Sequence, residues 1–385
     1  MSVIPYGRQD ISDEDVRALG EALRDPLITQ GPRVAEFEAA LAGATGARYA
    51  VAFNSGTAAL HGAYFAAGVG PARGVLTSPI TFAATANAAL YLGAPVRFAD
   101  VDATTALLDP GAVAAADAAG FGVLVPVHLT GQVAPMAELA ELARSRGWVL
   151  IEDAAHALGA RYLADGQEYQ VGACAHSAMC CFSFHPVKHI TTGEGGAVTT
   201  NNEDYYRALK RFRSHGITRE PPELERDEGP WYYEQHDLGF NYRLTDLQCA
   251  LGLSQLTRLH QFVARRRVIA RRYDAAFAGV PGVEPLAVPA DSIGSYHLYV
   301  IRVDAARRRP IFEALREADI GVNVHYLPVY RHPYYRRHGF AEVELPQAER
   351  YYAEAISIPM YPGLSDAEQD RVIESVKAQV ESLVA

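Results

Sequence analysis

Short apolar runs recur along the first half of this chain, and the stretches between them are rich in alanine and read as helices. Residues 49–53, 74–78, 95–100, 122–127 and 148–153 are apolar and β-favouring, and too short to be helices of ordinary length. Strands buried on both faces have this near-continuous apolar character, and their alternation with helical stretches predicts a parallel α/β sheet flanked by helices. Two further runs, residues 178–183 and 196–200, flank a polar loop and read as two more strands. At the N-terminal end, Ser12 followed by Asp13, Glu14 and Asp15 predicts an N-capped amphipathic helix through Leu23. No internal period of repeat-array length is visible, which excludes a solenoid.

The regular pattern breaks at residues 219–235, which are rich in proline, glutamate and charge and contain Trp231-Tyr232-Tyr233. This composition predicts an exposed loop, whose aromatic side chains either stack on a base or pack against a second subunit. Beyond it, a helix carrying Arg265-Arg266-Arg267 and Arg271-Arg272 leads toward a C-terminal α+β region. A boundary near residue 255 divides the chain into a large domain, 1–255, and a smaller one, 256–385. The basic and aromatic run from Tyr330 to His338 could meet a diphosphate but reads rather as a solvated face or interface; nucleic-acid binding would need a longer basic track.

Composition changes the picture little. The chain has 385 residues, 49% of them hydrophobic, which is enough for one large core and a smaller one. A net charge of −10 argues against a nucleic-acid surface. Met1 to Pro5 begin no targeting pattern and no apolar run approaches membrane-spanning length, so a cytoplasmic protein without a membrane partner is expected. Cys174, Cys180, Cys181 and Cys249 lack zinc-like pairing and read as reduced core residues; no metal is expected.

The chemistry concentrates at strand ends. The run 147–153 finishes in Glu152-Asp153, so Asp153 stands where ligands bind in open α/β sheets, with Glu152 on the opposite face. Lys188 follows in the loop Ser183-Phe184-His185-Pro186-Val187-Lys188-His189-Ile190-Thr191-Thr192-Gly193-Glu194-Gly195-Gly196. A strand-end acid and a lysine in a small, hydroxyl-rich loop are two parts needed to hold pyridoxal phosphate. The amine condenses with an aldehyde only when neutral, and the ring withdraws electrons only while a carboxylate keeps its nitrogen protonated. Asn54-Ser55-Gly56-Thr57-Ala58 opens a helix after a strand and offers free N–H groups to a phosphate. Each feature alone has a plain reading, as a surface lysine or a helix cap. Neither a Walker loop nor a dinucleotide glycine fingerprint is present, which argues against a nicotinamide dehydrogenase.

These residues, together with Leu27-Ile28-Thr29-Gln30-Gly31-Pro32, Ser78 to Asn87, Asp153 to Gly159, Phe212-Arg213-Ser214-His215-Gly216, Gly239 to Leu244 and Val324 to Tyr330, carry a resemblance. Over essentially its whole length the chain resembles the DegT-type nucleotide-sugar aminotransferases, vitamin B6 enzymes with the aspartate aminotransferase fold. Residues 78–87 and 183–196 most resemble the branch that aminates C4 of a UDP-linked 4-keto-6-deoxy-N-acetylhexosamine in pseudaminic acid biosynthesis. The resemblance implies that Lys188 bonds to the cofactor and shuttles protons, Asp153 binds the pyridinium nitrogen, and His156 stacks on one ring face with Phe82 near the other. Gly56, Thr57, Ala58 and Ser183 would hold the phosphate, joined by Asn241 from the other subunit of a homodimer with a shared site. Thr29, Gln30, His325 and Tyr326 would border the sugar pocket, and L-glutamate would be the amine donor. Some relatives place histidine where the lysine stands and act as dehydratases; Lys188 favours transamination. A dTDP- or GDP-linked keto sugar, or a non-catalytic regulatory protein that keeps the fold, are the alternatives.

Overall fold

The computed structural model describes residues 3–382; Met1 and Ser2, the first residues of the segment expected to carry no targeting pattern, lie outside the described residues. The apolar runs become the strands of one seven-stranded sheet: β1 (Tyr49–Phe53), β2 (Gly74–Thr77), β3 (Val96–Phe98), β4 (Phe121–Val125), β5 (Val149–Asp153), β6 (Met179–Ser183) and β7 (Gly196–Thr200). Their order is β1-β7-β6-β5-β4-β2-β3. All neighbours from β3 through β6 pair in parallel, and β7 runs antiparallel between β6 and β1. The sequence pattern overran several ends; β4, for example, stops at Val125, because Pro126 has no N–H to give the ladder.

Both faces of the sheet are covered, which is why its strands lack polar alternation. Ala50, Ala52, Leu124 and Leu150 face one core, with Phe37 of helix α2; Val51, Phe53, Val123, Val125 and Ile151 face the other, with Leu60 and Tyr64 of α3. Among the helices are α1 (Asp13–Ala22), α2 (Pro32–Thr45), α3 (Gly56–Ala66), α4 (Ala84–Tyr91), α5 (Glu203–Arg213), α6 (Asp246–Thr257) and α7 (Leu259–Phe277). Ser12 caps α1 in a reciprocal pair with Asp15, and Leu23 is its C-cap. Asp15 also accepts from Ser254 Oγ, Gln255 Nε2 and Arg258 Nη2, each at 2.6 Å, which pins α1 to α6 and the turn after it.

A second, antiparallel sheet joins β8 (Glu284–Pro285), β9 (Tyr299–Arg302) and β10 (Ala355–Ile358). It packs with α7 and the C-terminal helix α8 (Asp366–Ser382) around Ile269, Tyr273, Phe277, Ile301 and Val372, a core that Ile4 also enters. Residue 255 falls in the last turn of α6. The segment 219–235 contains a 3₁₀ turn (Pro221–Glu223) and a two-residue strand, Glu234–Gln235, paired with Ile217–Thr218. All four cysteines are buried free thiols, and no helix among the described residues is long and apolar enough to cross a membrane.

Candidate active site

The C-terminal end of β5 delivers Asp153 into the interior. Its Oδ2 accepts from Thr85 Oγ1 at 2.7 Å and its Oδ1 from the Ala155 N–H at 3.1 Å. Thr85 sits in α4 and pairs in turn with Thr81, Oγ1 to Oγ1 at 2.7 Å, so the carboxylate is oriented from a neighbouring helix. Burial raises the Asp153 pKa, while Thr85, the Ala155 N–H and the charge of Lys188 pull against it. Glu152 points the other way, to His128 Nε2 at 2.8 Å, as strand alternation requires.

Lys188 stands in the loop between β6 and β7. The loop is held by its own hydroxyls: Thr191 Oγ1 donates to Phe184 O, Thr192 Oγ1 to Glu194 O, and Thr191 Oγ1 accepts the Gly193 N–H. Gly193 has φ 79°, a turn that favours glycine. Lys188 is half-buried. Burial lowers its pKa to about 7; Asp153 raises it and the buried Arg266 lowers it further. Its Nζ lies 3.4 Å from Nε2 of His297.

Four buried histidines surround this amine. His156, three residues past Asp153, has its ring centroid 4.3 Å from that of His297, and its Nε2 lies 3.0 Å from Tyr326 Oη. Burial, then the charge of Lys188, keeps His156 and His297 neutral, and it raises the Tyr326 pKa, so the phenol donates to the ring. Nδ1 of His156 has no protein partner. His189 is held by Ser295 O at 3.1 Å, and His325 by Ser357 Oγ at 2.8 Å.

The third part of the site is the start of α3. Ser55 Oγ accepts the Ala58 N–H at 3.1 Å, which leaves Gly56 and Thr57 as the first N–H groups without an intrahelical partner. Here the backbone approaches β6 and β7 closely. A Cβ on Gly56 would sit 2.9 Å from Ser183 Cβ, and one on Gly196 would sit 2.5 Å from Ser55 O. The space that glycine leaves, with the hydroxyls of Thr57 and Ser183, makes a cradle for an anion.

Pyridoxal phosphate fits these groups: a lysine held near neutrality, a buried carboxylate with spare lone pairs, an imidazole with an unpartnered nitrogen, and a helix N-terminus beside Ser183. The structure thus brings together Lys188, Asp153, His156, His325 and Tyr326, with Gly56, Thr57, Ala58 and Ser183 in the cradle. Phe82 stands at the edge, 64% exposed, its ring 6.3 Å from Tyr326. Thr29, Gln30 and Asn241 are exposed, and among the described residues no hydrogen bond or ring contact ties them to the Lys188 cluster. Sequence reasoning assigned no role to Thr85, His189, Arg266 or His297. The hydroxyl pair Thr81 and Thr85, four residues apart across the start of α4, was a usable signal; His297, alone before an apolar strand, offered none.

A cavity of about 370 Å³ lies elsewhere, lined by Arg207, Lys210, Arg213, Ser214 and Glu223 and by none of the Lys188 cluster. Arg207, Lys210, Arg211 and Arg213 are paired there with Glu203, Glu220, Glu223 and Glu38.

Residues 9–377 match the model of the DegT/DnrJ/EryC1/StrS aminotransferase family. The chain is 38% identical over 380 residues to the spore coat polysaccharide biosynthesis protein SpsC of Bacillus subtilis, covering 97% of this chain and 96% of that protein. It is also 38% identical over 365 residues to the UDP-4-amino-4,6-dideoxy-N-acetyl-beta-L-altrosamine transaminase of Campylobacter jejuni, covering 93% of each. The solved structure of Helicobacter pylori PseC, an aminotransferase involved in pseudaminic acid biosynthesis, superposes with a TM-score of 0.90 at 31% identity, over 99% of this chain and 100% of that one.

Proposed function

The chain belongs to the DegT/DnrJ/EryC1/StrS aminotransferase family, and from that membership we propose that it transfers the amino group of L-glutamate to C4 of a UDP-linked 4-keto-6-deoxy-N-acetylhexosamine in pseudaminic acid biosynthesis. It is a pyridoxal phosphate-dependent sugar aminotransferase with the fold of those enzymes. The observation that carries the reading is Lys188, an amine lowered to about 7 and facing the strand-end carboxylate of Asp153. Retention of both speaks against a non-catalytic regulatory protein.

When bound, pyridoxal phosphate supplies an electron-withdrawing ring that stabilises negative charge on the carbon from which a proton leaves. Lys188 Nζ, its pKa lowered to about 7 by burial, would be the base that takes up that proton and the acid that gives it back, in both halves of the reaction. Asp153, aimed by Thr85, would accept a hydrogen bond from the ring nitrogen and hold its proton there. His156, oriented by Tyr326, would cover one ring face against water, with Phe82 near the other. The N–H groups of Gly56 and Thr57, the start of α3 at Ala58 and the Ser183 hydroxyl hold the phosphate. Asn241, exposed in this chain, completes the phosphate site of a second copy in a homodimer. Tyr326 and His325 border the sugar, with Thr29 and Gln30 at the rim. A large domain of residues 1–255, a small one of 256–385 and a cytoplasmic location are parts of the same proposal.

The test is to load the protein with pyridoxamine phosphate, add the UDP-linked keto sugar and record whether the visible absorption band of the resting cofactor returns, against a dTDP-4-keto-6-deoxyglucose control. Return with the UDP sugar alone supports the proposal. Return with the dTDP sugar alone overturns the substrate and keeps the aminotransferase.

A further inference from the structure

We propose that His297 is a positioning residue for Lys188, its neutral Nε2 holding the lysine amine in place whenever Nζ is free to carry a proton. The inference rests on the reading that Lys188 is the residue that moves protons. Its first support is contact: Nε2 lies 3.4 Å from Nζ, and among the described residues this is the only hydrogen-bond partner the amine has. Nδ1 of His297 has no partner, so the ring is anchored to nothing else through its nitrogens.

The second support is the backbone that carries the ring. Residues 293–298 are gripped from α7 by two arginines. Arg266 Nη1 donates to Tyr296 O and His297 O, both at 3.1 Å, and to Met360 O at 2.9 Å. Arg267 donates to Gly294 O at 2.8 Å and to Ile293 O at 3.2 Å. The Ser295 and Leu298 N–H groups donate to Gly131 O and Thr130 O. Gly131 lies so close that a Cβ there would be 2.9 Å from His297 N. Ser295 further accepts His189 Nε2 at its carbonyl and donates its hydroxyl to His156 O at 3.3 Å.

Arg266 is fully buried, makes no ion pair among the described residues, and leaves Nε and Nη2 unpartnered. A buried cation without a carboxylate is costly, and a packed hydrophobic side chain would serve stability as well or better. Its use here is geometric: it fixes the carbonyls on either side of the His297 peptide and thereby the ring. With its one proton on Nδ1, a neutral imidazole can accept at Nε2 from Nζ whether the amine holds two protons or three, and it needs no charge of its own. The other charged or titratable groups around the amine are Asp153, His156, His189, His325, Tyr326 and Arg266, so Nε2 is the acceptor that leaves Asp153 free for the cofactor.

The experiment compares His297→Phe, which keeps a ring without an acceptor, with His297→Gln, whose amide reaches the Nε2 position, and His297→Asn, which is too short. The readouts on the cofactor-loaded enzyme are kcat, both KM values, the pH profile of kcat, and borohydride reduction followed by peptide mapping. In the Phe and Asn variants kcat falls roughly 10- to 100-fold with each KM within about twofold. The acid limb of the kcat profile moves to lower pH, because nothing accepts from the protonated amine, and Gln restores kcat to within about threefold of the parent. Unchanged kcat and pH limb in the Phe variant, or equal losses in Gln and Asn, overturn the proposal; should Phe fail to fold, the Gln and Asn pair decides it. Reduction that maps to a residue other than Lys188 in the parent enzyme sinks the functional reading instead, whatever the variants do.

Discussion

The floor of the site and its rim are built on opposite terms. On the floor, Asp153, His156 and His297 are each no more than 5% exposed, and the ionisable side chains around Lys188 contact one another within a single chain. At the rim and along the 219–240 arm, Phe82, Trp231, Tyr233 and Leu238 are 64, 73, 49 and 82% exposed, large apolar side chains left in water. Burying charge is expensive and exposing aromatic surface is unusual, so both departures from ordinary practice mark function, but of different kinds. The floor is a pKa device that one chain completes. Under the proposed function, the rim is where a nucleotide, a second subunit, or both would meet the chain.

Substitutions on the two regions are therefore expected to differ in kind as well as size. Lys188→Ala should lose multiple-turnover amine transfer by on the order of 10³-fold or more while still binding cofactor; turnover within tenfold of the parent would erase the distinction. Thr85→Val removes the hydroxyl that aims Asp153 and lowers its pKa. We expect kcat to fall roughly 10-fold, and more at pH 6 than at pH 8, since the carboxyl then loses its charge at higher pH; an equal loss at both would contradict this.

The floor also leaves a signature in stability. The folded pKa of Lys188, about 7, lies below the ordinary lysine value of 10.5, so the unfolded chain binds its proton more readily and the lysine costs stability at pH 7. Lys188→Met should stabilise the cofactor-free protein by about 2–4 kcal/mol at pH 7, with the gain shrinking as pH rises toward 10.5. Denaturant unfolding at the two pH values checks this, and a gain that grows with pH would be the wrong sign. At the rim, Trp231→Ala should raise the KM for the sugar nucleotide roughly 5-fold with kcat unchanged if the indole stacks on the base. An unchanged KM with a weakened dimer in sedimentation would assign Trp231 to subunit packing.

What could be read along the chain follows the same division. Asp153 was legible because its place at the end of a continuous apolar run is a local property, and Lys188 because its hydroxyl-rich loop joins two further runs. The helix start at Gly56 was visible, yet the capture of the Ala58 N–H by Ser55 was not, because cap geometry selects among neighbouring donors. His297 lies 109 residues beyond Lys188, and its position depends on how Arg266 and Arg267 seat a segment from another element, which no periodicity encodes. Thr29, Gln30 and Asn241 are exposed within one chain, so the roles the resemblance gives them depend on a substrate or a second subunit.

The central claim is that Lys188 alone bonds the cofactor. The chain holds three lysines, Lys188, Lys210 and Lys377, of which Lys210 pairs with Glu220 on the surface and Lys377 lies on α8. Borohydride reduction of the cofactor-loaded protein, proteolysis and mass spectrometry of the labelled peptide test it most directly. The account predicts one label per chain, on Lys188; a label on Lys210 or Lys377, or none, would contradict it.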